Sequence, residues 1–190
     1  MATSVFPNER EVGTGGFLDP NSLVGGFEIK EGMMVADFGC GAGYFTILIA
    51  EKIGSSGKIY ALDVQEYALD NVRAKAKINS LNNVETIRSN LEVLGSSSLP
   101  NESQDLVLLA NILFQSSKKS EIIQEAKRVL KIGGRIIVID WEKGTGGFGP
   151  PENSRISDLE MSDLVQKEGF VFQKKIDAGQ FHFGFIFKKS

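Results

Sequence analysis

The stretch Val35-Ala36-Asp37-Phe38-Gly39-Cys40-Gly41-Ala42-Gly43 decides the fold. Met33 to Phe38 is an apolar run of strand length that ends in a glycine cluster. A helical pattern follows from Tyr44 to Ile53, with Phe45, Leu48, Ile49 and Lys52 at helical intervals, and Gly54 to Gly57 breaks it. The glycine loop therefore joins a buried strand to a helix at the carboxyl end of a sheet, where α/β folds bind ligands. Gly39 and Gly41 allow a tight turn and present no Cβ to a ligand. Gly43 lets the helix start close to the strand.

The loop has an acidic partner. Lys58 to Asp63 reads as the second strand, and Asp63 ends it, 24 residues after Gly39. A carboxylate there can accept both hydroxyl hydrogens of a ribose. The loop itself discriminates between ligands. Dinucleotide folds want G-x-G-x-x-G with a pyrophosphate on the helix N-terminus. Here the spacing is G-x-G-x-G, and Tyr44 stands where the third glycine is expected. Asp37 opens the motif; an acid there repels phosphate and suits an ammonium or sulfonium, unless it only caps the helix or binds backbone amides.

Outward from this core, strand-like and helix-like stretches alternate, which predicts a mainly parallel sheet flanked by helices. Glu66 to Ser80 is the second helix, Val84 to Arg88 the third strand and Asp105 to Ala110 the fourth, continuously apolar as a central parallel strand should be. Lys118 to Lys131 is a helix terminated by Gly133 and Gly134, and Arg135 to Asp140 is the fifth strand. Trp141 to Arg155, with its glycines and prolines, is a loop. Ser157 to Glu168 is a helix opened by a Ser157–Glu160 capping box. Val171 to Ile176 and Phe181 to Lys188 are joined by a turn too short for a crossover helix, so they must be antiparallel neighbours. We read residues 1–190 as a single domain, with 1–22 an arm or short helix packed on a 23–190 core.

Composition limits the function classes. Hydrophobic residues are 42% and charged residues 24% of 190, which is ordinary globular usage and argues against disorder. A net charge of −3 lacks the footprint of a nucleic-acid binder. One cysteine, Cys40, excludes an intramolecular disulfide, and we read it as a packing residue rather than a nucleophile. One histidine and no carboxylates clustered at ligand spacing give no metal site. Apolar runs are strand-sized and the first residues lack a signal-peptide core, so a soluble, cytoplasmic protein without membrane insertion is expected.

Taken together, these motifs resemble a class I S-adenosylmethionine-dependent methyltransferase of the group that includes ubiquinone and menaquinone methyltransferases. Asp37 to Gly43 resembles the group's first motif and Tyr60-Ala61-Leu62-Asp63-Val64 its second. Glu125 to Gly134 resembles the helix and turn before strand five. The resemblance covers about residues 15–188 and implies a three-layer, Rossmann-like fold: a seven-stranded, mostly parallel sheet with an antiparallel last strand. It implies S-adenosylmethionine as cofactor, with the main chain of Gly39, Cys40, Gly41 and Gly43 facing its methionine part. Asp63 would take the ribose and Val64 pack on the adenine. The group often has an acid after strand three; here Asn90, followed by Leu91, can accept the adenine amine's hydrogen bond, or is only a turn residue. Phe17-Leu18-Asp19-Pro20 resembles a segment covering the cofactor. The arsenic-methylating branch, which relies on several cysteines, does not fit.

Catalytic candidates are few. Methyl transfer needs position more than acid–base groups, because the cofactor carries the reactivity. Asn111 follows strand four at the sheet mouth and is a candidate contact to cofactor or substrate. Its continuation, Ile112-Leu113-Phe114, departs from the two prolines and an aromatic of amino-group methyltransferases. Asp140, Trp141 and Glu142 either line a substrate pocket with Phe114 and Phe148 or merely start a loop. His182, the lone histidine, is a possible base for which a structural or surface role is favoured. The sequence thus predicts methyl transfer to a small molecule. RNA or protein methylation and a non-catalytic cofactor-binding module are the alternatives, and Tyr44 with Asp37 argues against a nicotinamide oxidoreductase.

Overall fold

A computed structural model describes residues 18–190 of the chain. The part of the expected arm at 1–17, including Phe17 of the cover segment, lies outside the described residues. Helix α1 (Pro20–Gly25) follows, opened by Asp19, whose carboxylate accepts from the Asn21 N–H.

One sheet carries the structure. Its strands are β1 (Met34–Phe38), β2 (Lys58–Asp63), β3 (Val84–Arg88), β4 (Gln104–Ala110), β5 (Leu130–Trp141), β6 (Phe170–Ile176) and β7 (His182–Lys189). Their order is β3-β2-β1-β4-β5-β7-β6. The pairings from β3 to β5 are parallel, while β7 runs antiparallel to both β5 and β6. Helices α2 (Tyr44–Ile53) and α3 (Glu66–Ile78) pack with α1 on one face, and α4 (Lys119–Val129) and α5 (Asp158–Lys167) on the other. This is the mainly parallel sheet flanked by helices that the alternating pattern implied, in the three-layer arrangement that the resemblance implied. The core is continuous through the central strands: Val35, Leu106, Leu108, Ile137 and Ile139 are fully buried on one face, and Phe38, Val107, Ile136, Val138 and Phe187 on the other.

The chain order reverses about β1, which has β2 on one side and β4 on the other. Crossovers leaving β1 and β4 therefore diverge and open a crevice at their carboxyl ends. The final pair follows from its turn: Asp177 accepts the Gly179 N–H, and β7 folds back between β5 and β6.

Boundaries differ where local geometry overrides propensity. Helix α4 ends at Val129 rather than Lys131, because Leu130 has already turned extended and pairs with Gln104. A register shift separates that pair from the regular ladder, which resumes at Leu106–Arg135. Helix α3 stops at Ile78; Ser80 sits in the left-handed region at φ 55°. The expected loop over 141–155 contains a short 3-10 turn at Glu152–Ser154. The capping box at Ser157 and Glu160 is present with both of its hydrogen bonds.

Gly184 in β7 is where the sheet edge packs most closely: a Cβ there would stand 2.5 Å from Ile176 Cγ1 and 3.2 Å from the Ile176 carbonyl oxygen. Gly184→Val should lower stability by about 1–3 kcal/mol through overpacking and the melting temperature by several degrees, as calorimetry would show. An unchanged melting temperature would mean the β6–β7 edge is not packed this way.

Candidate functional site

A cavity of about 860 Å³ opens at the carboxyl ends of β1, β2, β3 and β4. That is within the usual range for small-molecule sites. Its lining includes Asp37, Gly39, Cys40, Gly41, Asp63, Val64, Asn90, Leu91 and Asn111, so one crevice gathers residues that the sequence scatters over more than seventy positions. Of the cofactor-binding and catalytic candidates, Gly43 and His182 are not in the wall.

The glycines divide the work. All three have left-handed backbones, with φ of 75° at Gly39, 50° at Gly41 and 79° at Gly43. A Cβ on Gly39 would meet Ile112 Cδ1 at 2.6 Å, and one on Gly43 would meet Val72 Cγ2 at 2.7 Å. Gly43 therefore also lets α2 approach α3. A Cβ on Gly41 would meet nothing within 4 Å; this glycine borders open space.

Asp63 faces the bend. One of its oxygens accepts the Gly41 N–H at 3.0 Å and the other the Gln65 N–H at 2.9 Å. Each carboxylate oxygen has a second lone pair, so two further donors can be accepted. Val64 follows with 55% of its surface exposed, an apolar side chain left open in the cavity wall.

Asp37 is 2% exposed, and Thr46 on α2 donates to its carboxylate at 2.6 Å. It thus bonds a helix hydroxyl and does not cap the helix backbone. Burial, reinforced by the negative charge of Asp63, pushes its pKa up to about 6 against the Thr46 bond. Burial likewise raises the Cys40 thiol, which suits the packing role. Asn111 adopts φ 55°, and its buried Oδ1 has no hydrogen-bond partner.

The far wall comes from the segment after β3. Asn90 Oδ1 accepts the Glu92 N–H at 3.1 Å, an Asx turn that leaves one lone pair. Ser116 donates to Glu92 at 2.7 Å, tying this wall to the loop after β4. Behind it, the fully buried Glu125 on α4 accepts from the Gly95 N–H at 2.7 Å, from Ser97 and from Arg128. Burial raises the Glu125 pKa, but bonds from Arg128, Ser97 and Gly95 outweigh it and hold the carboxyl at about 2. Sequence reasoning missed Glu92, Ser116, Tyr44 and Tyr67 as wall residues. Tyr44 was read only as a missing glycine, and no local pattern marks the others.

The second group of candidates stands apart. Asp140 is buried and accepts from Phe114 N–H at 3.0 Å and Trp141 N–H at 2.8 Å, closing the 3-10 turn at Leu113–Gln115. Burial pushes its pKa to about 6. None of Asp140, Trp141, Glu142, Phe114 and Phe148 lines the cavity. His182 is buried against Trp141, with ring centroids 4.1 Å apart, and burial with the nearby Arg155 charge pushes the imidazole down to about 4. Among the described residues no cluster of metal-ligating side chains is found, and no helix is long and apolar enough to cross a membrane.

With this geometry in place, comparison with known proteins places residues 29–170 in the family described as Methyltransferase domain. A probable cobalt-precorrin-6B C(15)-methyltransferase (decarboxylating) from Saccharolobus solfataricus is 30% identical over 144 residues, covering 74% of this chain and 70% of that protein. A demethylmenaquinone methyltransferase from Lactococcus lactis is 30% identical over 151 residues, covering 78% of this chain and 56% of that protein; the chain thus spans little more than half of that relative. The crystal structure of a SAM-dependent methyltransferase from Aquifex aeolicus superposes with a TM-score of 0.83 at 29% identity, over 92% of both chains.

The raised Asp37 pKa has a stability consequence. The folded acid titrates near 6 and the unfolded one near 3.8, so the ionised carboxylate weakens the fold progressively from pH 4 to 6 and fully above. Asp37→Asn should therefore raise stability of the ligand-free protein at pH 7 by on the order of 1–3 kcal/mol, with the gain vanishing by about pH 4. Denaturant unfolding at both pH values checks this; a destabilised variant at pH 7 would show that Asp37 carries no desolvation cost.

Proposed function

The chain belongs to the family of S-adenosylmethionine-dependent methyltransferase domains, and from that premise we propose that its cavity holds the cofactor with Asp63 on the ribose and passes the methyl group to a small molecule. S-adenosylmethionine supplies, when bound, a methyl group on a sulfonium sulfur that an acceptor takes by direct displacement.

The residues of the wall fit that cofactor's chemistry part by part. The carboxylate of Asp63 keeps a lone pair on each oxygen for the two ribose hydroxyls. Val64 and Leu91 offer apolar surface for the adenine, and Asn90 retains an acceptor for its amine. The open side of Gly41 leaves room for the main chain to meet the methionine part, with Gly39 and Cys40 beside it. Gly43 supports the bend from behind. Asp37 supplies a negative charge already stripped of water, and a cation beside it recovers the lost solvation. Asn111 presents an oxygen with nothing to accept from, which a cofactor ammonium or an acceptor's X–H would satisfy. The observation that carries the reading is the Asp63 carboxylate set against the Gly41 bend, within the same cavity as the desolvated Asp37.

A small acceptor is favoured over RNA by the charge of the wall. Asp37, Asp63 and Glu92 line it, and no described lysine or arginine does. The precorrin and quinone names of the two relatives support the same class. We propose a single-domain enzyme, acting without a metal, in the cytoplasm.

Calorimetry should show S-adenosylmethionine and S-adenosylhomocysteine binding and NAD not binding. Asp63→Ala should weaken cofactor binding by roughly 1–3 kcal/mol, the loss expected for charge-assisted hydrogen bonds. Undiminished affinity would take Asp63 out of the ribose role.

A further inference from the structure

The two limbs of the glycine bend are held by different elements. The first belongs to β2: Leu62 O accepts from Gly39 and Cys40, and Asp63 accepts from the Gly41 N–H. The second limb, Ala42 to Tyr44, is gripped by α3. Val72 closes on Gly43, where a Cβ would stand 2.7 Å from Val72 Cγ2. Lys75 follows three residues later on the same helix face. Its ammonium donates to Ala42 O at 2.7 Å and stands 3.8 Å from the centroid of the Tyr44 ring.

The needs of the two helices do not account for this contact. Helix α3 is anchored by its buried residues Ala68, Leu69, Val72 and Ala76. Its other nearby cation, Arg73, pairs with Glu66 and Asp70 of the same helix. Lys75 instead leaves its own helix for a carbonyl 33 positions away in the chain. There its charge sits beside the first turn of α2, which holds no acidic residue. A cation at a helix N-terminus opposes the helix dipole, so the placement does not stabilise α2.

What the bond does is fix a peptide that could otherwise turn over. Ala42 O belongs to the peptide joining Ala42 to Gly43. Gly43, at φ 79°, can take either sign of φ at little cost. With the Gly43 N–H on Cys40 O at 2.8 Å and the Ala42 carbonyl on Lys75, both sides of that peptide are tied. The same ammonium steadies the Tyr44 ring, because a cation is attracted to an aromatic face. Tyr44 lines the cavity and Lys75 does not. Among the described residues no other basic side chain bonds residues 39–44.

We propose that Lys75 is a positioning residue for the amino-acid end of the cofactor. The proposal rests on the methyltransferase reading above, in which the methionine part meets the open side of Gly41. The limb that Lys75 holds continues from that point, while Asp63, which takes the ribose, holds the other limb. Lys75 acts through Ala42 and Tyr44, touches no reacting atom and transfers no proton. Its loss therefore weakens the grip on the methionine part and spares the adenosine part.

Calorimetry with two ligands separates these parts: S-adenosylhomocysteine carries the amino-acid end, and 5′-methylthioadenosine lacks it. Lys75→Met should weaken S-adenosylhomocysteine by about fivefold or more and leave methylthioadenosine within about twofold. Lys75→Arg, which keeps a cation able to donate to a carbonyl and to stack on a ring, should restore S-adenosylhomocysteine to within about twofold. Undiminished S-adenosylhomocysteine affinity in Lys75→Met overturns the proposal. So does an equal loss for both ligands, which would mark a merely structural lysine. Failure of S-adenosylhomocysteine to bind the unaltered protein would remove the methyltransferase reading, and the proposal with it.

Discussion

The Asp63 carboxylate ties the end of β2 to the bend after β1 through the Gly41 N–H, and to its own following turn through the Gln65 N–H. The glycines of the bend lose more backbone entropy on folding than any other residue type, so the loop needs such ties to hold one shape. Gly39 and Cys40 add bonds to Leu62 O at 2.7 and 3.0 Å, so the bend is stitched to β2 along three consecutive amides. The crevice is a consequence of the strand order, but its shape at the ligand end follows from this seam. The same carboxylate then keeps unused acceptor capacity facing the cavity.

A second constraint runs beneath the opposite wall. Glu125 and Arg128, three residues apart on α4, hold the segment 95–99 from below. Ser96 carries that fixation to Asn90, donating to its carbonyl at 2.6 Å. The wall residues thus rest on an ion pair between the buried Glu125 and the half-buried Arg128, with hydrogen bonds to Gly95, Ser97, Leu99 and Asn101 satisfying its remaining groups. Asp37 shows the opposite arrangement. It is desolvated with one hydroxyl bond and no cation, and this expense in stability makes sense where a cationic ligand is to be held.

Much of this was legible in the sequence, for physical reasons. Continuous apolar runs at Met33–Phe38 and Asp105–Ala110 announce central parallel strands, and the short 177–180 turn leaves β7 no parallel option. Gly39, Gly41 and Asp63 could be paired because the fold fixes their spacing. What escaped depends on through-space contacts. The end of α4 at Val129 is set by Leu130 pairing with Gln104, a contact that propensity does not see. The sequence places Gly43 where the helix starts close to the strand, but it does not show Val72 on α3, the side chain that a Cβ there would meet. Glu92 and Ser116 meet across the cavity floor from 24 residues apart, and nothing in either neighbourhood indicates it. The group around Asp140 and Trp141 sits at the right end of the sheet, but the Asp140 carboxylate is taken up by the 3-10 turn and lies outside the cavity wall.

The central claim is that the Gly39–Gly43 main chain and Asp63 together form the seat of an adenosyl ligand. A crystal structure of the protein with S-adenosylhomocysteine tests it most directly. The account predicts both Asp63 oxygens within hydrogen-bonding distance of the ribose hydroxyls and the ligand's sulfur-bearing chain running past the open side of Gly41. Density for the ligand elsewhere, or an Asp63 carboxylate bonded only to Gly41 and Gln65 with the ribose out of reach, would contradict it.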